Sequence, residues 1–136
     1  MKRYIVILLI AISGLTSATG QNFNKNISIS EADQLIRDTT GSIDLVILDV
    51  RTPEEFSKGH IKGAINIDFW GKGFMDAMAT HNINRTYLIY CTSGVRSNGA
   101  MNKMRKLGFT KLYNMKGGLF GWKAAKMPVV TGDAEK

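Results

Sequence analysis

The sequence predicts an α/β fold, an open parallel β-sheet with helices on both faces, and three observations support that class. Short apolar runs alternate with segments that carry helix-start signals, which is the pattern of βαβ units. The run over residues 44–50 is almost wholly apolar and does not alternate, as in strands covered on both faces. The 136 residues are 44% hydrophobic and 21% charged, which suits one globular domain and excludes a disordered or collagen-like chain.

The first half of the domain is predicted to contain two helices around one strand. Ser30 is expected as the N-cap of the first helix, with Asp33 at its third position. The strand over residues 44–50 follows. Thr52 and Glu55 then have the spacing of a capping box, with a proline between them at the first helical position. A second helix is therefore predicted to begin directly after Thr52.

The second half repeats the alternation of strand and helix. Its predicted strands cover residues 64–67, 87–90 and 111–115, and its predicted helices cover 69–80, 97–107 and a segment that follows two glycines at 117–118. Gly108 is expected just past the end of the helix over 97–107, where a left-handed residue commonly stops a helix. Open parallel sheets bind ligands beyond the carboxyl ends of their strands. Cys91 directly follows the strand over 87–90 and is therefore expected at that site.

The first twenty residues have the layout of a secretory signal peptide. A basic start is followed by an apolar run and then by small residues up to Gly20. The apolar run is shorter than the roughly 20 residues that span a bilayer, which favours cleavage near Gly20 and Gln21 over an uncleaved membrane anchor. We therefore expect a periplasmic or secreted protein with no stable membrane insertion after cleavage. The predicted segments are a signal peptide at 1–20, a short extension at 21–27, the domain at 28–130 and a tail at 131–136.

Charge is unevenly distributed along the chain, whose formal net charge is +7. Residues 21–76 carry a balance of −3, whereas residues 77–132 hold nine basic side chains and no acidic one. Nucleic-acid binding is the alternative that such a basic half raises, but no nucleic-acid-binding motif is present. We expect no nucleic-acid partner and interpret the charge as attraction for small anions near Cys91.

The loop after the strand over 87–90 has the composition of an anion-binding thiol site. Gly94 allows successive backbone N–H groups to curl inward, and the following helix adds the partial positive charge of its N-terminus. Arg96 adds a fixed charge, and together these features lower a thiol pKa. The alternative is a buried structural cysteine at position 91. With one cysteine and two separated histidines, neither a disulfide nor a metal site is expected.

Three motifs resemble those of the rhodanese (sulfurtransferase) family. They lie at residues 48–67, where the letters LDVRTPEEF are followed by GHIKGAINI, at 91–97 with CTSGVRS, and at 114–122 with NMKGGLFGW. The resemblance covers about residues 28–130 and implies a rhodanese-like fold without a cofactor. It implies that Cys91 holds sulfane sulfur as a persulfide. The residues implied to bind substrate are Thr92, Ser93, Gly94, Val95 and Arg96, and those implied to support the site are Asp49, Arg51 and Ser97.

The resemblance leaves the partners open. Donors are expected among small sulfur-containing anions such as thiosulfate or polysulfide, or a persulfide, and the acceptor is a thiophile, with a thiol or a protein as candidates. A sulfur carrier without turnover is the alternative. Related phosphatases have Cys-x5-Arg loops, whereas this loop is Cys-x4-Arg, a smaller cradle that argues against phosphatase activity. For Arg96 the alternatives are donor binding and fixing of the loop. For Asp49 and Arg51 a bracing role is expected.

Overall fold

The computed structural model describes residues 23–41 and 44–133. The predicted signal peptide lies outside these residues. The sheet contains five parallel strands in the order β1-β5-β4-β2-β3. The strands are β1 (Phe23–Ile27), β2 (Leu45–Asp49), β3 (Ile65–Asn66), β4 (Thr86–Tyr90) and β5 (Lys111–Met115). The helices are α1 (Ile29–Asp38), α2 (Pro53–Ser57), α3 (Phe74–Ala79), α4 (Val95–Lys106) and α5 (Gly118–Ala124). The predicted fold class is confirmed.

Helices cover both faces of the sheet. This is visible along the central strand β4, whose side chains alternate between two cores. Tyr87 and Ile89 are buried in a core with α3 and α4, whereas Leu88 and Tyr90 are buried in a second core with α1, α2 and α5. Because side chains of a strand alternate between faces, a strand buried on both faces must be apolar throughout. Cys91 continues the first set and lies at the carboxyl edge of the sheet.

Several predicted elements lie where the sequence indicates. β2, β4 and β5 fall on the predicted strands. Thr52 caps α2 through a capping box, in which its hydroxyl accepts from the Glu55 N–H and the Glu55 carboxylate accepts from the Thr52 N–H. Gly108 follows the end of α4 with φ +94°, as a C′ residue does. Within the described residues, none of the helices has the length and apolar character that a membrane span requires.

Three helix starts and one strand differ from the prediction, and one of these helices, α4, begins at Val95 rather than at residue 97. The N-cap of α1 is Ser28 and not Ser30, because the longer Glu31 side chain reaches back to the Ser28 N–H at 2.7 Å and completes a capping box. The helix predicted over 69–80 is confined to α3, since Asp68 accepts the N–H of Trp70 in a turn before it. Residues 21–27, predicted as an extension, contain β1, which pairs with β5 at the edge of the sheet.

Candidate active site

The Cys91 sulfur lies at the floor of the loop that joins β4 to α4. Its residue is only 1% exposed. The Gly94 N–H donates to Sγ at 3.1 Å and the Ser97 hydroxyl at 3.4 Å. Burial in itself raises the pKa of the Cys91 thiol, but hydrogen bonds from the Ser97 hydroxyl and from three backbone N–H groups of the loop outweigh it, so the pKa is lowered. The loop therefore favours a thiolate.

The curl of this loop depends on Gly94, which has φ +103° and immediately precedes α4. That left-handed conformation costs a residue with a side chain more than it costs glycine, and in this loop the backbone N–H groups of Ser93, Gly94 and Ser97 are directed at the sulfur. The Gly94 carbonyl accepts hydrogen bonds from the Asn98 N–H of α4 and from the side-chain amide of Asn114 on β5. Asn114 begins the third motif, but no role was predicted for it, because its contact with Gly94 depends on the pairing of β4 with β5.

The N-terminus of α5 also forms hydrogen bonds with the thiol loop. The N–H groups of Leu119 and Phe120 donate to the carbonyls of Cys91 and Thr92, at 2.8 and 3.0 Å. These bonds hold the carbonyls away from the sulfur. Gly118 makes the approach possible, because a Cβ there would lie 2.5 Å from the Cys91 oxygen and from Thr92 backbone atoms. Sequence reasoning placed a turn at this glycine pair but did not connect it to the thiol loop.

Arg96 is fully engaged within the protein. Its two terminal nitrogens bind the two carboxylate oxygens of Glu55, each at 2.8 Å, and Nη2 also donates to the Thr92 hydroxyl at 3.1 Å. The Arg96 guanidinium is the largest influence on the Glu55 carboxyl and holds its pKa far below its usual range. Of the two predicted roles for Arg96, this geometry is that of a residue that fixes the loop. Glu55 was predicted only as a helix cap.

Asp49 and Arg51 form a buried ion pair at the end of β2. The guanidinium binds both carboxylate oxygens, with the shortest contact at 2.7 Å, and its Nη2 also donates to the Gly59 carbonyl at 2.7 Å. Asp49 is fully buried and Arg51 nearly so. The pair therefore braces the segment around Gly59, which carries the second half of the first motif. Asp49 also bonds the Tyr90 side chain at the end of β4, so the contacts of the pair end one residue before Cys91.

Two aromatic residues after β3 have different surroundings. The Trp70 ring lies against the Arg96 guanidinium, 4.4 Å from ring centroid to carbon, and its residue is 67% exposed. Phe69 packs against the first core and against Gly99 of α4. Trp70 is beside the loop, and Phe69 is core.

The histidines lie outside the thiol loop. His60 is buried, stacks on Phe56 with ring centroids 3.6 Å apart and bonds the Phe56 carbonyl through Nδ1. His81 bonds the Ala77 carbonyl at the end of α3. Among residues 23–41 and 44–133, no group of three or more histidine, cysteine or acidic side chains is placed to hold a metal ion. The groups that donate to the Cys91 sulfur are the Gly94 N–H and the Ser97 hydroxyl.

Comparisons with known proteins agree with this fold. The model of the rhodanese-like domain family matches residues 28–125. Thiosulfate sulfurtransferase GlpE of Pseudoalteromonas translucida is 31% identical over 101 residues, which are 74% of this chain and 90% of that protein. Thiosulfate sulfurtransferase 16, chloroplastic, of Arabidopsis thaliana is 35% identical over 91 residues, 60% of this chain and 76% of that one. The crystal structure of the Alr3790 protein from Anabaena sp. has a TM-score of 0.67 at 26% identity, covering 77% of this chain and 82% of that one.

Proposed function

The chain belongs to the family of rhodanese-like domains and its activity is of the sulfurtransferase type; we propose that it transfers sulfane sulfur through a persulfide on Cys91. The donor is thiosulfate, polysulfide or a persulfide, and the acceptor is a thiophile. The observation that carries the proposal is the buried Cys91 sulfur with the Gly94 N–H and the Ser97 hydroxyl directed at it. Hydrogen bonds of this kind stabilise the thiolate, which is the nucleophilic form of cysteine, without a separate base.

The first step is attack of the Cys91 thiolate on the outer sulfur of the donor. A bond forms between Sγ and that outer sulfur while the bond between the outer sulfur and the donor atom that carries it breaks. The electron pair of the broken bond leaves with the donor remnant, which is sulfite in the case of thiosulfate. The thiolate becomes a persulfide anion whose charge lies on the outer sulfur. Loop N–H groups that point inward stabilise that charge, as an oxyanion hole stabilises oxygen.

The second step removes the outer sulfur. An acceptor nucleophile attacks it, the sulfur–sulfur bond breaks, and the Cys91 thiolate leaves with the bonding electrons and is again held by Gly94 and Ser97. The two half-reactions predict ping-pong kinetics. Phosphate-ester hydrolysis is disfavoured by the Cys-x4-Arg loop, since one residue fewer leaves less room for a tetrahedral phosphoryl group.

The test is persulfide formation together with turnover. After treatment with thiosulfate or polysulfide, intact-mass spectrometry should show the gain of one sulfur atom on wild-type protein and none on Cys91→Ser. Thiocyanate formation from thiosulfate and cyanide should disappear in the same variant. Full activity of Cys91→Ser would exclude the mechanism, and loading without turnover would favour the carrier alternative. Ser57→Ala on α2 is the matched control, because its hydroxyl is exposed and bonds only within its helix.

Export is part of the proposal and rests on the layout of residues 1–20. Expression of the full chain with a C-terminal tag in a Gram-negative host should give a processed protein in the periplasmic fraction. N-terminal sequencing should begin at or near Gln21. Retention of Met1 in a membrane fraction would favour the uncleaved anchor instead.

A further inference from the structure

Three large apolar side chains at the thiol loop are exposed to solvent. Trp70 is 67% exposed, Val95 77% and Phe120 73%. Single exposed apolar residues are ordinary on protein surfaces, but a cluster of them marks an interaction site. We refer to Trp70, Val95 and Phe120 as the apolar rim.

The rim residues are all tied to the loop that carries the thiol. Trp70 lies on the Arg96 guanidinium, which donates to the Thr92 hydroxyl. The Phe120 N–H donates to the Thr92 carbonyl. Val95 is the first residue of α4 and directly follows the loop. All three rim residues are therefore linked to the loop whose cysteine is only 1% exposed.

The fixed charges at this surface favour an acidic partner. Glu55 neutralises Arg96 through two short hydrogen bonds. Lys116 is exposed, and its Cα lies 3.8 Å from the point where a Cβ would stand on Gly94. It belongs to the stretch from residue 77 to 132, which contains no acidic side chain. Among the described residues, no ion pair within 4 Å involves Lys116. A surface that combines exposed aromatic residues with such a lysine complements a partner with apolar and acidic side chains.

We propose that the apolar rim and Lys116 form the docking surface for the sulfur acceptor, a protein that presents a cysteine on a projecting segment with apolar and acidic neighbours. The inference rests on the proposed function, because it assigns the partner of the second step. A small anion would bury little of the rim and would find Arg96 already paired. A projecting protein segment covers the rim and delivers its sulfur to the floor of the loop.

The transfer balances without a further reactant. The partner's thiol loses its proton to solvent, and its thiolate attacks the outer sulfur of the Cys91 persulfide. The new sulfur–sulfur bond forms on the partner as the bond to Cys91 breaks, and Cys91 leaves as a thiolate. The partner ends as a persulfide, and the sulfurtransferase returns to its starting state.

The test compares two synthetic cysteine peptides as acceptors, one with leucine and glutamate around the cysteine and one with serine and lysine. Both are offered to the full domain loaded with persulfide, with cyanide as the small acceptor. The apolar, acidic peptide should react at least about tenfold faster, which corresponds to one well-buried anchor residue. Phe120→Ser and Lys116→Glu should each remove most of that advantage and should leave the cyanide rate within about twofold.

Matched controls lie at the opposite end of the sheet and of α4. Ile83 is an exposed apolar residue before β4, and Lys106 ends α4, so Ile83→Ser and Lys106→Glu should change neither rate. Equal rates for the two peptides, or equal loss toward peptide and cyanide in Phe120→Ser, would overturn the inference. Concentration-dependent dimerisation that Phe120→Ser abolishes would also overturn it, because the rim would then bind a second copy. Failure to load Cys91 at all would instead refute the proposed function.

Discussion

Both carboxylate oxygens of Glu55 bind the Arg96 guanidinium at 2.8 Å. The same carboxylate accepts the backbone N–H of Thr52, the N-cap of α2, at 3.0 Å. One side chain thus caps α2 and fixes the thiol loop. The contact links the first sequence motif, which contains Glu55, to the second, which contains Arg96, and the two residues are 41 positions apart in the chain. The loop's arginine is consequently a structural cation whose charge is already compensated.

Replacement of Glu55 by glutamine should loosen the loop and lower activity. We expect a loss of about 1–2 kcal/mol in the free energy of unfolding, because one partly exposed, charge-assisted pair is weakened. The value of kcat should fall more than KM rises if Arg96 fixes the loop. Urea unfolding and steady-state kinetics measure the two effects. Glu54→Gln is the control, since its pair with Lys58 is exposed and should contribute nothing measurable. A lower KM for thiosulfate with unchanged kcat would show that Arg96 had been freed to bind the donor.

The same ion pair predicts a specific pH dependence of stability. Arg96 lowers the pKa of Glu55 in the folded state, so the carboxylate contributes stability above its unfolded pKa of about 4.3. That contribution is lost as pH falls through the folded pKa. The difference in unfolding free energy between wild type and Glu55→Gln should therefore be constant above about pH 5.5 and shrink below about pH 4. A difference that grows on acidification would contradict the assignment.

Ser97→Ala should raise the pKa of Cys91. The Ser97 hydroxyl donates to the sulfur at 3.4 Å and is the first of the groups that offset the cost of burial. Iodoacetamide alkylation followed against pH should give a wild-type midpoint below the ordinary thiol value of about 8.5 and a higher midpoint in the variant. Ser93→Ala is the matched control, because only the backbone N–H of Ser93 lowers the pKa. An unchanged midpoint in Ser97→Ala would assign the activation to backbone N–H groups alone.

Gly118→Ala should displace the thiol loop, because Gly118 of α5 lies directly against its backbone. Its Cβ would stand 2.5 Å from backbone atoms of Cys91 and Thr92, at φ +57°, and neither can move without shifting the sulfur. We expect a loss of at least about 3 kcal/mol in unfolding free energy, with a large fall in kcat. Gly63→Ala is the control, since Gly63 has φ +80° but no atom within 4 Å of its Cβ position. That variant should lose about 1–2 kcal/mol from strain alone and keep its activity. Similar losses in both variants would show that close approach at Gly118 is unimportant.

The parts of the fold that sequence predicted are those encoded locally. Thr52 and Glu55 lie three residues apart, so their capping box is visible in the sequence, and the apolar run of β2 reports burial on both faces directly. β1 was missed because it is an edge strand whose middle three residues are exposed and polar. An edge strand needs only its ends in the core, so periodicity does not reveal it.

The parts of the site that sequence missed depend on contacts across the chain. Cys91, Gly94 and Ser97 lie in one short loop, and their grouping was predicted. Glu55 and Gly118 reach that loop only because the sheet brings α2 and α5 to the same edge. Nothing in their local sequence distinguishes a cap or a turn from a support of the thiol.

The Asp49–Arg51 pair should contribute to stability rather than to chemistry. Both residues are buried, and the guanidinium spans the Asp49 carboxylate and the Gly59 carbonyl. Asp49→Asn leaves a buried cation without its counterion and should cost about 3–5 kcal/mol in unfolding free energy. Chemical denaturation measures this loss. The folded variant should keep kcat within about threefold of wild type, since the pair bonds Gly59 rather than residues 91–97.

The control for this prediction is Asp33→Asn on α1. Asp33 also pairs with an arginine, Arg37 at 2.8 Å, but that arginine is 69% exposed, so the pair should contribute little. A small loss in both variants would mean that water reaches the Arg51 guanidinium. If the folded Asp49→Asn variant instead loses as much kcat as Cys91→Ser, Asp49 takes part in the reaction and is not only a structural residue.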